Sequence, residues 1–248
     1  MKIIIIAAGY GKRLGKYSKE TPKALVKING ISILDRQAQL LKTIKFKKIV
    51  VVIGPNKSKF TNKNFHYVED RFFKKHEQLG SLMEAKEHFD DDLLILFSDV
   101  LFDQKILSKI NNTECDIGIS IDLDWKKGYD ARTEHPISQA DLVMIKNDNI
   151  IKIQKNLNAN NNSIIGEFMG IIKLSKIGAK IFLEHYKNLE KTHKGKFQNA
   201  NSLDKAYLTD MVSDLIQNNH NVIPIIVNGN WCEIDTTQDL EHAEKTFL

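Results

Sequence analysis

Short apolar runs rich in β-branched residues alternate with helical patterns along the first half of the chain, and this alternation restricts the fold more than any other feature. The runs have the length of buried strands, and the segments between them carry apolar residues at helical spacing. The strand-like runs are residues 3–7, 49–53, 93–97 and 117–121, and the helical patterns cover residues 33–44, 79–89 and 103–110. This order predicts an α/β fold with a mainly parallel sheet covered on both faces. Ligands should then bind at the carboxyl ends of the strands.

The second half has a less regular pattern of the same two element types. Candidate strands are residues 142–145, 150–154, 168–173 and 222–227, and candidate helices are residues 176–189, 203–218 and 238–246. Thr236 and Asp239 have nearly the spacing of a capping box at the start of the last helix. The polar run NLNANNNS at residues 156–163 predicts a surface loop. Because the strand that follows this loop needs the first-half sheet for burial, we expect a single domain over residues 1–248.

Charge and cysteine content argue against several classes of protein. The 36 basic and 31 acidic residues give a formal charge of +5, without the basic block that a nucleic-acid groove needs. Cys115 and Cys232 show no metal-ligand spacing, so neither a disulfide framework nor a zinc site is expected. The apolar start at residues 3–8 is too short for a signal sequence or a membrane span. We therefore expect a cytoplasmic protein that binds a small anion, with neither nucleic acid nor a membrane as its partner.

A basic, glycine-rich loop follows the first predicted strand, where residues 7–25 read AAGYGKRLGKYSKETPKAL. Glycines in this position let backbone N–H groups approach a phosphate. A dinucleotide-binding G-x-G-x-x-G motif is disfavoured because Leu14 stands at the third glycine position. A Walker A motif is disfavoured because Arg13, rather than Ser or Thr, follows the Gly-Lys pair. The loop still places two positively charged residues next to backbone constraints, Arg13 after the glycines and Lys23 after Pro22. These two side chains could bind two different anions.

The pattern A-A-G-x-G-x-R-L followed by T-P-K-x-L resembles the signature of the nucleotidyltransferases that make NDP-sugars and CDP-alcohols. The resemblance implies a Rossmann-like three-layer fold, similar to that of glycosyltransferase-A enzymes, with a mixed, mainly parallel central sheet. It implies that Lys23 contacts the acceptor phosphate, and that the nucleoside triphosphate is held by Ala7, Ala8, Gly9, Gly11, Lys12 and Arg13. Residues 1–115 would form the nucleotide-binding half and residues 116–248 the acceptor-binding half.

Acids near the ends of predicted strands suit the chemistry of nucleotidyl transfer. In this reaction an ionised acceptor oxygen attacks the α-phosphorus, so catalysis needs positioning, cations and a metal ion rather than a general base. Asp99 ends the buried run LLILFSD, and Glu233 and Asp235 share one face of WCEIDT if that segment is extended. Asp99 and Asp235 are the predicted Mg²⁺ ligands. The predicted catalytic residues are Arg13, Lys23, Asp99 and Asp235.

Further segments resemble the cytidylyltransferases of phosphonate biosynthesis and are similar to the phosphocholine cytidylyltransferases. These segments are residues 79–82, 98–102, 129, 132–136, 166–170, 205–210 and 231–236. The implied reaction joins CMP from CTP to a phosphonate such as 2-aminoethylphosphonate and releases pyrophosphate. Gly80, Ser81 and Ser98 would belong to the nucleotide site.

The acceptor site is expected mainly among polar residues that follow Asp122. Besides Lys23, the candidates are Tyr129, Arg132, His135, Glu167 and Glu233. Arg132 and His135 could hold phosphonate oxygens, and a carboxylate could pair with an amine. Aromatic rings could instead surround a quaternary ammonium group. Phosphocholine or a sugar 1-phosphate is thus an alternative acceptor, and a non-catalytic nucleotide-binding regulatory module is an alternative of another class. The protein is expected to be a monomer or a homodimer.

Overall fold

The computed structural model describes residues 1–9, 11–17, 21–130, 132–159 and 162–247, with the backbone alone at Lys12 and Lys16. Asn160 and Asn161 of the predicted surface loop lie outside this part of the chain. Within it, no helix combines the length and the apolar content that crossing a membrane requires.

Strands and helices alternate through most of the described chain. The strands are Lys2–Ala7 (β1), Lys27–Ile28 (β2), Ile31–Ser32 (β3), Ile49–Ile53 (β4), Phe65–Glu69 (β5), Leu93–Phe97 (β6), Val100–Phe102 (β7), Ile117–Asp122 (β8), Leu142–Lys146 (β9), Asn149–Gln154 (β10), Ile164–Leu174 (β11), Ile223–Val227 (β12) and Trp231–Glu233 (β13). The α-helices are Ile33–Leu41 (α1), Gln78–Met83 (α2), Gln104–Asn112 (α3), Lys176–Thr192 (α4), Leu208–Gln217 (α5) and Thr237–Thr246 (α6).

Nine of these strands form one twisted sheet with a parallel core. At one end β5, β4, β1 and β6 are parallel neighbours in that order. Strand β11 runs antiparallel to β6 and also pairs with β8 and β9, while β12 and β10 extend the sheet beyond them. Among the described residues, four of the eight strand pairings are parallel and four are antiparallel. The sequence predicted a mixed, mainly parallel sheet. The mixed sheet is confirmed and its core is parallel, but antiparallel pairings are as numerous as parallel ones, and all of them involve β9, β10 or β11.

Alternate side chains of β1 face two opposite layers of helices. Ile4 and Ile6 belong to a core cluster with residues of α2, α4 and α5, whereas Ile3 and Ile5 pack with residues of α1 and α3. All four isoleucines are buried. The predicted cover on both faces is confirmed, and it explains why β1 is a continuous apolar run rather than an alternating one.

A small second sheet holds the C-terminal segment against the end of β6. Strand β13 pairs with β7 so that Glu233 lies opposite Val100, and the N–H of Ile234 donates to the carbonyl oxygen of Asp99 at 2.9 Å. Asp99 lies in the turn between β6 and β7, so this pairing brings residues 231–235 to the carboxyl edge of the main sheet. The predicted capping box of Thr236 and Asp239 is confirmed at the start of α6.

Three predicted helices are shorter in the structure. Helix α1 ends at Leu41, three residues before the predicted end. Helix α2 ends at Met83, and the 3₁₀ turn Lys86–His88 follows it. Helix α5 begins only at Leu208, because the Asp210 carboxylate accepts a hydrogen bond from the N–H of Tyr207 at 2.9 Å and fixes the start there. The strands that sequence analysis did not predict are β2, β3, β5, β7 and β13. Four of them span only two or three residues, too few to show a periodicity.

Candidate active site

The four predicted catalytic side chains form one charge cluster at the carboxyl edge of the sheet. The Lys23 Nζ lies 2.6 Å from Oδ2 of Asp99 and 2.6 Å from Oδ1 of Asp235. A guanidinium nitrogen of Arg13 lies 2.8 Å from the same Oδ1 of Asp235. Lys23 and Asp235 are buried, whereas the Arg13 side chain is exposed. We call these four residues the charge cluster.

Gly11 is required where the loop after β1 passes Lys23. Its φ is +62°, which L side chains rarely adopt, and an added Cβ would lie 2.7 Å from the Cβ of Lys23. Pro22 leads into the 3₁₀ turn Lys23–Leu25, which buries Lys23. The glycine loop and the proline segment are therefore packed on each other.

A buried glutamine holds the turn that carries Asp99. The Nε2 of Gln37, on α1, donates to the carbonyl oxygens of Phe97 at 2.8 Å and Val100 at 2.7 Å. On the other side of the turn, the N–H of Ser98 donates to the carbonyl oxygen of Ile6 at 3.1 Å. Gln37 is 1% exposed, so these bonds lie away from water. Sequence analysis missed Gln37, because a single polar residue on the buried face of a helix is the only signal.

Opposite charges keep Lys23 and Asp235 ionised although both side chains are buried. Burial lowers the pKa of Lys23, but Asp99 and Asp235 raise it more, and the net shift is upward. Burial raises the pKa of Asp235, but His135, Lys23 and Arg13 outweigh it and hold this pKa well below its usual range. The two cations and two carboxylates balance in charge. Glu233 differs, because burial together with Asp235 and Asp99 raises its pKa well above 4.5.

Oxygen atoms suited to a hard cation remain available in the cluster. Within the described residues, Oδ1 of Asp99 and Oδ2 of Asp235 are buried and accept no hydrogen bond. The Nδ1 of His135 lies 3.0 Å from that Oδ2 of Asp235, outside hydrogen-bond geometry. Ligand atoms of His135, Glu233 and Asp235 all lie within 4.8 Å of one another. Two carboxylates with uncommitted buried oxygens fit Mg²⁺, which takes oxygen ligands.

The predicted acceptor residues Tyr129, Arg132 and Glu167 form a linked group. The hydroxyl of Tyr129 donates to the Glu167 carboxylate, and the guanidinium of Arg132 lies over the Tyr129 ring at 5.2 Å. The Nε of Arg132 donates to Oδ1 of Asp239 at 2.6 Å, which ties it to the start of α6. Burial raises the pKa of Glu167 to about 8, against the lowering effects of Tyr129 and Arg132.

Two clefts meet at this group. One, of about 640 Å³, is lined by Arg13, His135 and Asp235 of the predicted set. The other, of about 690 Å³, is lined by Tyr129 and Arg132. The side chains that line both are Glu167, Trp231 and Glu233, which form a shared wall. The structure thus brings His135 to the charge cluster and places Tyr129 and Arg132 on the other side of that wall.

The predicted nucleotide-binding residues lie along the carboxyl edges of β1 and β6 and in α2. Ala7, Ala8 and Ser98 are buried, Gly9 is exposed, and the side chain of Lys12 is outside the described residues. Gly80 and Ser81 are buried in α2, where the Oγ of Ser81 donates to Asp70 at 2.7 Å. An added Cβ at Gly80 would lie 2.7 Å from the ring of His76.

Comparison with known proteins identifies related domains. Residues 3–119 match the MobA-like NTP transferase domain. The chain is 28% identical over 252 residues to CTP:phosphoglutamine cytidylyltransferase of Campylobacter jejuni, which covers 97% of this chain and 98% of that protein. It is 27% identical over 118 residues to CMP-5'-(3-aminopropyl)phosphonate synthase of Streptomyces rubellomurinus, which covers 44% of this chain and 19% of that protein.

A solved structure has the same fold over the whole chain. The CTP:phosphocholine cytidylyltransferase LicC from Streptococcus pneumoniae superimposes with a TM-score of 0.75 at 20% identity, covering 100% of this chain and 99% of that one. This similarity confirms the predicted fold class, an α/β nucleotidyltransferase fold around a mixed sheet.

Proposed function

The chain carries a MobA-like NTP transferase domain over residues 3–119 and is a nucleotidyltransferase, and we propose that it transfers the cytidylyl group of CTP to a small phosphate or phosphonate acceptor. Two relatives support the choice of CTP. One is named CTP:phosphoglutamine cytidylyltransferase, and the other is named CMP-5'-(3-aminopropyl)phosphonate synthase. The observation that carries the proposal is the charge cluster, in which Lys23 lies between Asp99 and Asp235.

The cluster matches the chemistry of the proposed reaction. An acceptor oxygen forms a bond to the α-phosphorus of CTP, the bond from that phosphorus to the bridging oxygen of the β-phosphate breaks, and pyrophosphate leaves with the electron pair. The attacking oxygen is already ionised, so the site needs no general base. Arg13 and Lys23 supply positive charge for the two anionic reactants, and the rigid Gly11 and Pro22 segments fix where that charge lies.

We propose Asp99 and Asp235 as the ligands of Mg²⁺. When bound, the ion would neutralise charge on the phosphates and orient them. The charge cluster alone attracts anions only weakly, because the positive charges of Arg13 and Lys23 are balanced by the negative charges of the two carboxylates. A divalent cation would make this balance positive, as two anionic reactants require.

We also propose that the acceptor carries an amino group besides its phosphoryl or phosphonyl group. Phosphoglutamine and aminopropylphosphonate share this combination, and 2-aminoethylphosphonate, the acceptor implied by sequence, has it too. Acidic side chains support the idea, since Glu167 and Glu233 line both clefts and Asp141 lines the first. A carboxylate beside an amine gives a charge-assisted hydrogen bond.

The test is a pyrophosphate-release screen in the presence of Mg²⁺. CTP, UTP, ATP, GTP and dTTP are each offered with phosphoglutamine, 2-aminoethylphosphonate, phosphocholine or glucose 1-phosphate, and a reaction without enzyme is the control. We expect release with CTP and an amine-bearing acceptor, and a CMP adduct in the product by mass spectrometry. Release with glucose 1-phosphate alone would contradict the acceptor proposal. Tight nucleotide binding without release from any pair would favour a regulatory module instead.

A further inference from the structure

Polar residues of the second half of the chain line the same cleft as Arg13 and Asp235 of the charge cluster. They are Gln139, Asp141, Lys155 and Thr209, and they come from three segments. We call these four residues the polar arm. Gln139, Asp141 and Lys155 belong to none of the segments that carry the family resemblance, whereas Thr209 lies in one of them, residues 205–210.

Asp141 is the negative group of the polar arm. It precedes β9 and is half-buried, and its carbonyl oxygen accepts a hydrogen bond from the N–H of Phe168 at 2.9 Å, next to Glu167. Burial raises the pKa of Asp141, Lys155 and His135 lower it, and Asp210 raises it, so three titratable groups surround this carboxyl. An added ammonium group would stabilise the ionised carboxylate that burial disfavours.

Lys155 is the positive group of the polar arm. It directly follows β10, is exposed, and donates to Oε1 of Gln139 at 3.1 Å. Gln154 pairs with Leu142 where β10 and β9 meet, so Lys155 and Asp141, the next residues beyond these two strands, place opposite charges near each other in one cleft. A ligand carboxylate can displace the Gln139 amide from this ammonium group, because two opposite full charges attract each other more strongly than an ammonium group attracts a neutral amide.

We propose that the polar arm binds the tail of the acceptor, with an ammonium group of the acceptor at Asp141 and a carboxylate at Lys155. The acceptor is then an amino-acid-like zwitterion whose phosphoryl group reaches the charge cluster. His135, which lines the same cleft and lies 3.0 Å from Asp235, marks the junction between the two regions. This inference rests on the proposed function and goes further by assigning a second charged group to the acceptor.

The test compares two acceptors against two variants. Phosphoglutamine has both an ammonium and a carboxylate group at its amino-acid end, whereas 2-aminoethylphosphonate has the ammonium group alone. Lys155→Met should raise KM for phosphoglutamine about tenfold and leave KM for 2-aminoethylphosphonate within about twofold of the wild type. Asp141→Asn should raise KM about tenfold for both, with kcat and the Kd of CTP little changed.

Matched control variants show whether a change in KM comes from the loss of the proposed subsite or from a general effect on charge or folding. Lys152→Met, on an exposed residue of β10, and Asp148→Asn, in the exposed turn before it, remove the same charges outside the cleft and should leave both KM values unchanged. Thermal unfolding of each variant shows whether it is folded.

Three results would overturn the subsite. They are an unchanged KM for phosphoglutamine in Lys155→Met, an equal increase for both acceptors in that variant, and a wild-type enzyme that uses 2-aminoethylphosphonate but not phosphoglutamine. All three leave the proposed cytidylyl transfer intact. Pyrophosphate release with none of the four acceptors would instead overturn the proposed function, and this inference with it.

Discussion

The ammonium group of Lys23 lies 2.6 Å from the carboxylate of Asp235, although 212 positions separate the two residues in the chain. Asp235 also binds the guanidinium of Arg13 and lies beside His135. One carboxylate thus joins Arg13, in the loop that follows the first strand, to His135 in the second half of the chain. The predictions below depend on how this group is held.

Replacing either predicted metal ligand should abolish turnover without unfolding the protein. Asp99→Asn and Asp235→Asn each keep the shape of the side chain but remove a negative charge beside Lys23. We expect kcat for pyrophosphate release to fall more than about 100-fold in each variant. Asp148→Asn, in an exposed turn, is the control. Near-normal turnover in both active-site variants would refute the assignment of the metal ligands.

Lys23→Ala should harm acceptor use more than nucleotide binding. Lys23 is the buried cation that the signature assigns to the acceptor phosphate, whereas the triphosphate is expected to retain Arg13 and the backbone of the glycine loop. We expect KM for the acceptor to rise about tenfold or more, and the Kd of CTP, measured by calorimetry, to change less than about threefold. Lys27→Ala, an exposed lysine on β2, serves as the control. A Kd for CTP that rises as far as KM for the acceptor would reverse the two roles.

Gly11→Ala should destabilise the loop, and Gly9→Ala should not. A side chain at Gly11 meets a positive φ and a contact of 2.7 Å with Lys23, whereas nothing lies within 4 Å of an added Cβ at Gly9. Such backbone strain costs on the order of 1–3 kcal/mol. Thermal unfolding should therefore show a lower Tm for Gly11→Ala only, and equal Tm values would mean that the loop adjusts freely.

Gln37→Leu should weaken the metal site through the turn of Asp99. The change removes two hydrogen bonds to buried carbonyl oxygens, those of Phe97 and Val100, each worth about 1–3 kcal/mol when left unsatisfied. We expect a higher Mg²⁺ concentration for half-maximal activity. Leu34→Ala, on the same helix, is the control because it also destabilises the core but does not touch the turn. An identical Mg²⁺ requirement in both variants would show that Gln37 only stabilises the fold.

Glu167 should make stability decrease with rising pH. Its pKa is about 8 in the folded protein against an ordinary value of 4.5, because burial disfavours the charged form. Between these values the folded state keeps a proton that the unfolded state has lost, so the free energy of unfolding falls as pH rises. Each pH unit in this window is worth at most about 1.4 kcal/mol.

The variant Glu167→Gln isolates that effect. Glutamine does not titrate, so denaturant unfolding of wild type and variant between pH 5 and pH 8 should show the variant gaining relative stability as pH rises. Parallel pH profiles would mean that the carboxyl of Glu167 is ionised in the folded protein at neutral pH.

Local signals predicted most of the sheet and the centre of the site. The four isoleucines of β1 and the runs of β4, β6 and β8 have the composition of buried strands, and the structure has strands there. Asp99 and the glycine loop with Arg13 directly follow predicted strands, and chain direction brings the ends of parallel strands to one edge of the sheet. Lys23 was grouped with them through the resemblance of T-P-K-x-L to a nucleotidyltransferase signature, and Asp235 on the expectation that its segment is extended.

Other parts of the site depend on side-chain direction and distant packing. Gln37 donates hydrogen bonds to backbone carbonyl oxygens, and no sequence pattern indicates which carbonyls a side chain will reach. Asp141 and Lys155 come together only because β9 and β10 form a hairpin beside β11. Arg132 was predicted to bind the acceptor, which stays a prediction, and its bond to Asp239 could not be read from spacing, since 107 positions separate them. Such contacts exist only once the tertiary fold is in place.

The pairing of β13 with β7 also makes the charge cluster depend on the order in which the chain is synthesised. Lys23 and Asp99 are made before β12, the last described strand of the main sheet, whereas Asp235 is made after it. The charge cluster can therefore form only after every described strand of the main sheet has been synthesised.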